Sequence, residues 1–523
     1  MIMTRREWLA SALLSLSWPL LDSGNRTYAT GPAAKLELGP AQAFSFDRLR
    51  DQARQLAEQP YQPPVIRHAE ALEPIDYDTH RQIHYRPEAA LWAEGKGPYP
   101  VQFFHLASLF KEPVKLHVVQ DGAAREILYS SQIFTFDDPT RFTTPLPDAL
   151  GFSGFRVMDS DQQQGDWLSF LGASYFRSTG ELDQYGLSAR GVAIDTGLPV
   201  VEEFPRFTGF WLEPAADPKN LMVYALLDGP SLSGAYRIEV TRSKGVAMTI
   251  ETALFTRKAI HRLGIAPLTS MFWFGEAHHQ QARTWRPEVH DSDGLALWLG
   301  NGERIWRPLI NPPLVQTCSF PDRNPKGFGL LQRDRDFEHY QDDLVFYERR
   351  PSLWVEMLEP WGEGEVQLVE IPTRSEFNDN IVAYWLPKTP VPAGATLTFN
   401  YRLHWVADEP NPPALGRVTA ARLIWEDVAD APASAPRPGL LVIDFAGGPL
   451  ESLAKNTPVQ LIASATRKGL TSSFVASLGE TRRWQAFFYI ALAGTEPLEI
   501  RAGLKLGDRT LTETCVYPCF LPH

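Results

Sequence analysis

Short runs of alternating apolar and polar residues dominate the chain. They lie at 81–86, 99–105, 114–119, 125–134, 222–227, 235–241, 246–256, 344–347, 353–358, 365–371, 381–385 and 395–405. They are rich in β-branched and aromatic residues and are bounded by Gly, Pro, Asp and Asn, the pattern of strands separated by turns. Further strand-like runs follow at 440–445, 458–463, 473–477, 484–492, 496–505 and 510–516. Only one segment has a clear helical period. Phe46, Leu49, Ala53 and Leu56 recur on one face, and Pro60 stops the run, so a helix is predicted over 46–59. A doubly wound fold needs regular helices between its strands, and these are missing. The fold class predicted is all-β.

Domain organisation follows from composition along the chain. Pro-rich stretches at 408–418 and 431–439 suggest a boundary. The expected division is a large β-sandwich over 30–410, a linker over 411–439, and a small immunoglobulin-like sandwich over 440–523. The N-terminus has Arg5 and Arg6, an apolar stretch from Ala10 to Leu21, and a small-residue site at Thr27-Tyr28-Ala29. This reads as a twin-arginine export signal over 1–29. It implies delivery of a folded protein to a periplasm.

The formal charge is -12. The signal carries Arg5, Arg6 and Arg26 against Glu7 and Asp22, so the mature chain stands at -13. With no basic block, nucleic acid is a poor partner, and a neutral polymer or small molecule suits the balance better. Cys515 and Cys519 either close a small loop in an oxidising compartment or remain thiols, and Cys318 is left over. His278, His279, His290, Asp291 and Asp293 have neither zinc nor EF-hand spacing. No metal and no cofactor is expected.

The candidate chemistry lies in two acidic segments, His290-Asp291-Ser292-Asp293-Gly294 and Glu376-Phe377-Asn378-Asp379-Asn380. Two carboxylates brought together by folding suit acid–base cleavage of a sugar linkage, one protonating the leaving oxygen and one activating the acceptor. Turns, ion pairs and calcium sites use the same residues. Trp273, Trp354, Trp361 and Trp385 can offer flat faces to sugar rings or fill a β core, while Phe272, Phe274 and Phe488 read as core. Arginine can fork onto sugar hydroxyls or pin a catalytic carboxylate; among Arg177, Arg190, Arg286, Arg333, Arg349 and Arg350, one or two are expected in contact with the sugar and the rest in structural ion pairs. Arg286 and Arg349 are the substrate-binding candidates.

Several long stretches resemble one family. They are Gly172 to Thr196, Glu203-Phe-Pro-Arg-Phe-Thr-Gly-Phe-Trp211, Pro267 to Glu276 and Arg286 to Leu295. They continue with Gly327 to Phe337, Tyr347-Glu-Arg-Arg-Pro-Ser-Leu-Trp354 and Asp379-Asn-Ile-Val-Ala-Tyr-Trp385. Together they are similar to the periplasmic glucan biosynthesis proteins of Gram-negative bacteria, the G and D proteins of osmoregulated glucan synthesis. The twin-arginine-like start resembles the D branch more. The resemblance implies the two-sandwich fold, a substrate cleft on the large sandwich, and β-1,2-glucan chains as ligand. It also implies anomer-inverting chemistry by Asp291 and Asp379, with Tyr347 and Glu376 as relay candidates. Asp291 is favoured as acid and Asp379 as base, the reverse staying open. The function expected is endo-acting hydrolysis of linear β-1,2-glucan, with transglycosylation to an α-linked ring and a non-catalytic glucan-binding scaffold for a membrane glucan synthase as the alternatives. A homodimer is the oligomer to test for.

Overall fold

Strand follows strand with little helix between, because β-branched and aromatic runs are cut by turn residues before any helical period can build. The computed structural model describes residues 35–137, 146–160, 162, 165–277, 284–426, 435–479 and 482–521. The expected signal lies outside them.

The large sandwich has two mainly antiparallel sheets. In the first, Leu221–Asp228, Leu232–Arg242, Val246–Thr256 and Thr396–Val406 pair in succession. The ladder continues through Ser352–Met357, Gly327–Leu331, Gly294–Trp298 and Arg304–Pro308. The second sheet runs Gln316–Arg323, Glu363–Glu370, Ile381–Pro387, Leu263–Ser270, Ser188–Arg190, Tyr175–Ser178, Asp166–Leu171, Phe152–Met158 and Val101–His105. Val223, Ile238 and Tyr401 from the first meet Phe155, Phe170 and Trp385 from the second in one core. Strand Leu221–Asp228 is buried at nearly every position. Its outer face is covered by the predicted helix, which spans Phe46–Ala57 and packs Leu49 and Ala53 on Leu226, Ala235 and Ala253. The Ser45 side chain caps that helix by accepting from Arg48 N–H.

The small sandwich pairs Arg417–Trp425, Arg437–Ala446, Trp484–Leu492 and Leu470–Ser477 in one sheet. Gln460–Ala465, Leu498–Leu506 and Thr514–Cys519 form the facing layer. Leu441, Ile443, Phe488 and Ile500 fill the space between. Thr514–Cys519 also pairs in parallel with the large sandwich, Ile305 opposite Thr514 and Trp306 opposite Cys515. One sheet thus passes without a break from one sandwich into the other.

Two expectations need correction, and one alternative left open by the sequence is resolved. Residues 411–439 are no plain linker, because Arg417–Trp425 is the outer strand of the small sandwich. Residues 344–347 are not a strand. They form a turn into the 3-10 helix Tyr347–Arg349, and the bulky Phe346 before it has φ 47°, a left-handed conformation that breaks any ladder. Cys515 and Cys519 are both free and buried. They sit four residues apart on one extended strand, about 13 Å at the strand rise, too far for a disulfide.

Candidate active site

The two acidic segments are joined through Phe272. Strand Phe272–Phe274 pairs with Val289–His290, and the Asp291 N–H donates to the Met271 carbonyl at 2.8 Å. On the other side, the Asn380 side chain accepts from Phe272 N–H at 2.8 Å and donates to the Phe272 and Ile371 carbonyls, each at 2.9 Å. Asn380 is 2% exposed, so this amide is a buried staple whose polar atoms are all engaged. It brings Asp379 and Asp291 to one region. In the Asp-Ser-Asp-Gly turn, a Cβ on Gly294 would lie 2.4 Å from the Trp306 ring. Only glycine fits that approach.

Asp291 is buried, and Arg350 Nη1 donates to its carboxylate. Burial pushes its pKa up. Arg350 and His290 oppose that rise without cancelling it. Arg350 also lies over the Tyr347 ring, 4.3 Å from its centre. The Tyr347 hydroxyl donates to Glu376 at 2.5 Å. Arg286 grips the same carboxylate with two donors at 2.7 and 2.9 Å, and reaches Asp342 at 3.0 Å. Burial works against ionised Glu376, but Arg286 and Tyr347 outweigh it and hold its pKa below the usual carboxylate value. Burial holds the Tyr347 phenol well above its ordinary value.

A cleft of about 1210 Å³ opens beside this network. Asn378 and Asp379 line one side, with Glu202, Phe204 and Arg206 among the rest of the lining. Of the four catalytic candidates, only Asp379 is in that lining. Asp291, Tyr347 and Glu376 form the network beside it.

The aromatic and arginine candidates divide sharply. Trp354, Trp361 and Trp385 are core residues at 2%, 9% and 0% exposure and have no face free for a sugar. Trp361 and Trp385 pack on each other, 6.4 Å between ring centres, and Trp354 joins the core shared with the small sandwich. Alternation in a sandwich buries every second ring, and spacing alone does not say which. Trp273 is half-buried against Met271, Phe274 and Tyr347. Arg286 belongs to the network. Arg349 does not: it donates to the Leu182 carbonyl at 3.0 Å, and its neighbour Arg350 takes the carboxylate. Trp285 was not singled out from sequence, yet it is 67% exposed beside Arg286. Its position next to an arginine of the acidic region was the available signal.

His290 is a buried cation. Its Nε2 faces Glu288 at 2.9 Å and its Nδ1 faces the Gln332 side-chain oxygen at 3.1 Å. The Gln332 amide nitrogen donates to the Tyr340 hydroxyl and the Tyr347 carbonyl, which fixes its oxygen toward the ring. Both ring nitrogens therefore donate. Burial opposes this charge, but Glu288 and Asp293 raise the pKa to about 9. Among the described residues, Glu288, Asp334 and His339 offer ligand atoms within 4.8 Å of one another. Each already has a partner, Glu288 with His290 and Asp334 with His339 at 2.5 Å. His278 and His279 lie outside the described residues. No helix among the described residues is long and apolar enough to cross a membrane.

Comparison with known proteins fits this architecture. Residues 44–519 match the family described as periplasmic glucan biosynthesis protein, MdoG. The chain is 48% identical over 534 residues to glucans biosynthesis protein D 2 of Ralstonia nicotianae, covering 99% of this chain and 97% of that one. It is 44% identical over 520 residues to glucans biosynthesis protein D of Stenotrophomonas maltophilia, covering 98% and 97%. It is 43% identical over 525 residues to the protein of the same name from Xanthomonas oryzae pv. oryzae, covering 99% and 98%. The chain belongs to the periplasmic glucan biosynthesis protein MdoG family.

Proposed function

We propose that the protein is a periplasmic, endo-acting, anomer-inverting glycosidase of β-1,2-glucan. The observation that carries the reading is the convergence of Asp291 and Asp379 on the two sides of Phe272, with Asp379 in the cleft wall. The acid must reach the leaving glycosidic oxygen, so the cleft-lining Asp379 is assigned that role. Asp291, held by Arg350, is assigned as base. This reverses the assignment favoured from sequence, because only one of the two carboxylates lines the cleft. In the inverting reaction Asp379 donates its proton to the leaving oxygen as the C–O bond breaks. The acceptor hydroxyl attacks the anomeric carbon from the opposite face, and its proton passes to the base. Glu376, ionised and mostly shielded from solvent, and the Tyr347 hydroxyl form the relay. Asp291 has a raised pKa and Glu376 a lowered one, so the proton runs toward Asp291, the stronger base.

One observation favours transfer as a second reading. Asp291 and Tyr347 are each 1% exposed, and a base shielded from bulk water suits a sugar hydroxyl as acceptor. The test is incubation of the mature protein and Asp379→Asn with linear β-1,2-glucan, with products read by mass and linkage NMR. Shorter linear products of inverted anomer support hydrolysis. Products one water lighter with a new α-linkage support cyclising transfer. Binding by both proteins without turnover overturns the enzyme reading in favour of a scaffold for a membrane synthase.

A further inference from the structure

Arg177 lies on strand Tyr175–Ser178, where its neighbour Phe176 enters the main core. The arginine is 3% exposed. Its guanidinium stacks on Tyr185 at 4.5 Å, and the Tyr185 hydroxyl donates to Asp166 at 2.6 Å. The Nε and Nη2 donors are buried and have no hydrogen-bond partner among the described residues. A buried guanidinium with idle donors is costly, and an apolar side chain would serve the fold at least as well. Its surroundings supply another reason for it. The charged and titratable groups acting on it are Tyr185, Asp166, Asp379 and Arg350, and Arg177 in turn acts on Asp291. Arg350 donates to Asp291. The buried region thus holds the two carboxylates with Arg350, which is bonded to Asp291, the His290 cation, and Arg177, two of whose donors have no partner among the described residues.

We propose that Arg177 is a positioning residue: its buried guanidinium, with two donors idle, is a fixed cation that sets the pH range over which Asp291 is ionised as base while Asp379 is protonated as acid. This rests on the assignment of that pair as the acid and base. Without Arg177 one positive charge is lost and Arg350 and the His290 cation are left to offset Asp291, so both carboxyls hold their protons to higher pH. Both limbs of the pH profile then move to higher pH. A purely structural arginine would change the height of the profile and leave its limbs in place.

The experiment compares Arg177→Met and Arg177→Lys with the wild type. The profile of kcat/KM against pH on linear β-1,2-glucan is expected to shift upward by about one unit in the Met variant. It is expected to stay near the wild-type position in the Lys variant, at reduced height. Limbs unmoved in Arg177→Met overturn the proposal. A second readout needs no turnover. Carboxyl ¹³C NMR of Asp-labelled protein, assigned through Asp291→Asn and Asp379→Asn, should show the Asp379 midpoint rising in the Met variant and held in the Lys variant. An Asp379 midpoint equal in all three proteins overturns the proposal. Absence of wild-type turnover would count against the glycosidase reading while leaving this titration decisive. Should Arg177→Met not fold, Arg177→Gln carries the same comparison.

Discussion

Replacing Glu376 by Gln tests the network at its centre. The carboxylate accepts three charge-assisted hydrogen bonds, two from Arg286 at 2.7 and 2.9 Å and one from Tyr347 at 2.5 Å. Glutamine keeps the shape but turns one acceptor into a donor. Both carboxylate oxygens accept from Arg286, so that donor faces Arg286 whichever way the amide turns, and at least one bond to a charged group is lost. The side chain is 21% exposed, so solvent screens the loss little. Such a bond is worth about 1.5–3 kcal/mol. If the relay runs through this oxygen, the loss appears in the transition state as a fall in kcat/KM of roughly 10- to 150-fold. Initial rates on linear β-1,2-glucan read it, with a urea unfolding curve confirming that the variant is folded. A folded Glu376→Gln protein within twofold of wild-type kcat/KM would refute the relay.

Three further outcomes follow from the same side-chain contacts. His290 has its pKa raised to about 9, above an unfolded value of about 6.5, so its stabilisation is complete below the unfolded value and lost as pH rises through the folded one. Wild-type protein should lose about 3 kcal/mol relative to His290→Gln between pH 6 and pH 10, and parallel urea midpoints for the two proteins would contradict this. All 3 cysteines should titrate as thiols in denaturant without reductant; a count of one would reinstate the Cys515–Cys519 bridge. Trp285→Ala should weaken glucan binding to Asp379→Asn protein by about 1 kcal/mol, as read by calorimetry, whereas Trp385→Ala should chiefly lower the unfolding midpoint.

Much of the fold was legible because alternation and turn residues act locally. Strand Val246–Thr256 falls on the predicted span, and the Phe46 helix ends within two residues of its predicted end. What stayed hidden depends on partners distant in sequence. Nothing local to Arg417–Trp425 says that Arg437–Ala446 will pair with it. The same holds at the site. The acidic segments stood out by chemistry, but the choice of Arg350 over Arg349 is made by the 3-10 turn Tyr347–Arg349, whose direction the strained Phe346 sets. Trp385 and Trp285 are the same residue type in similar company. Only the packing of two sheets makes one core and leaves the other at the surface.

The parallel pairing of Thr514–Cys519 with Arg304–Pro308 has a consequence for dissection of the chain. A cut near residue 410 would leave the Arg304–Pro308 strand as a raw edge, with its backbone donors and acceptors unpaired. It would also bare Trp306 and Trp354, which now lie in the core shared with the small sandwich. Arg333, bonded to Glu513 through two donors, would lose its counter-ion. An open hydrophobic edge of this kind invites pairing with another molecule. The excised large sandwich would therefore self-associate, and the small one acts as a stopper on a sheet that would otherwise keep growing.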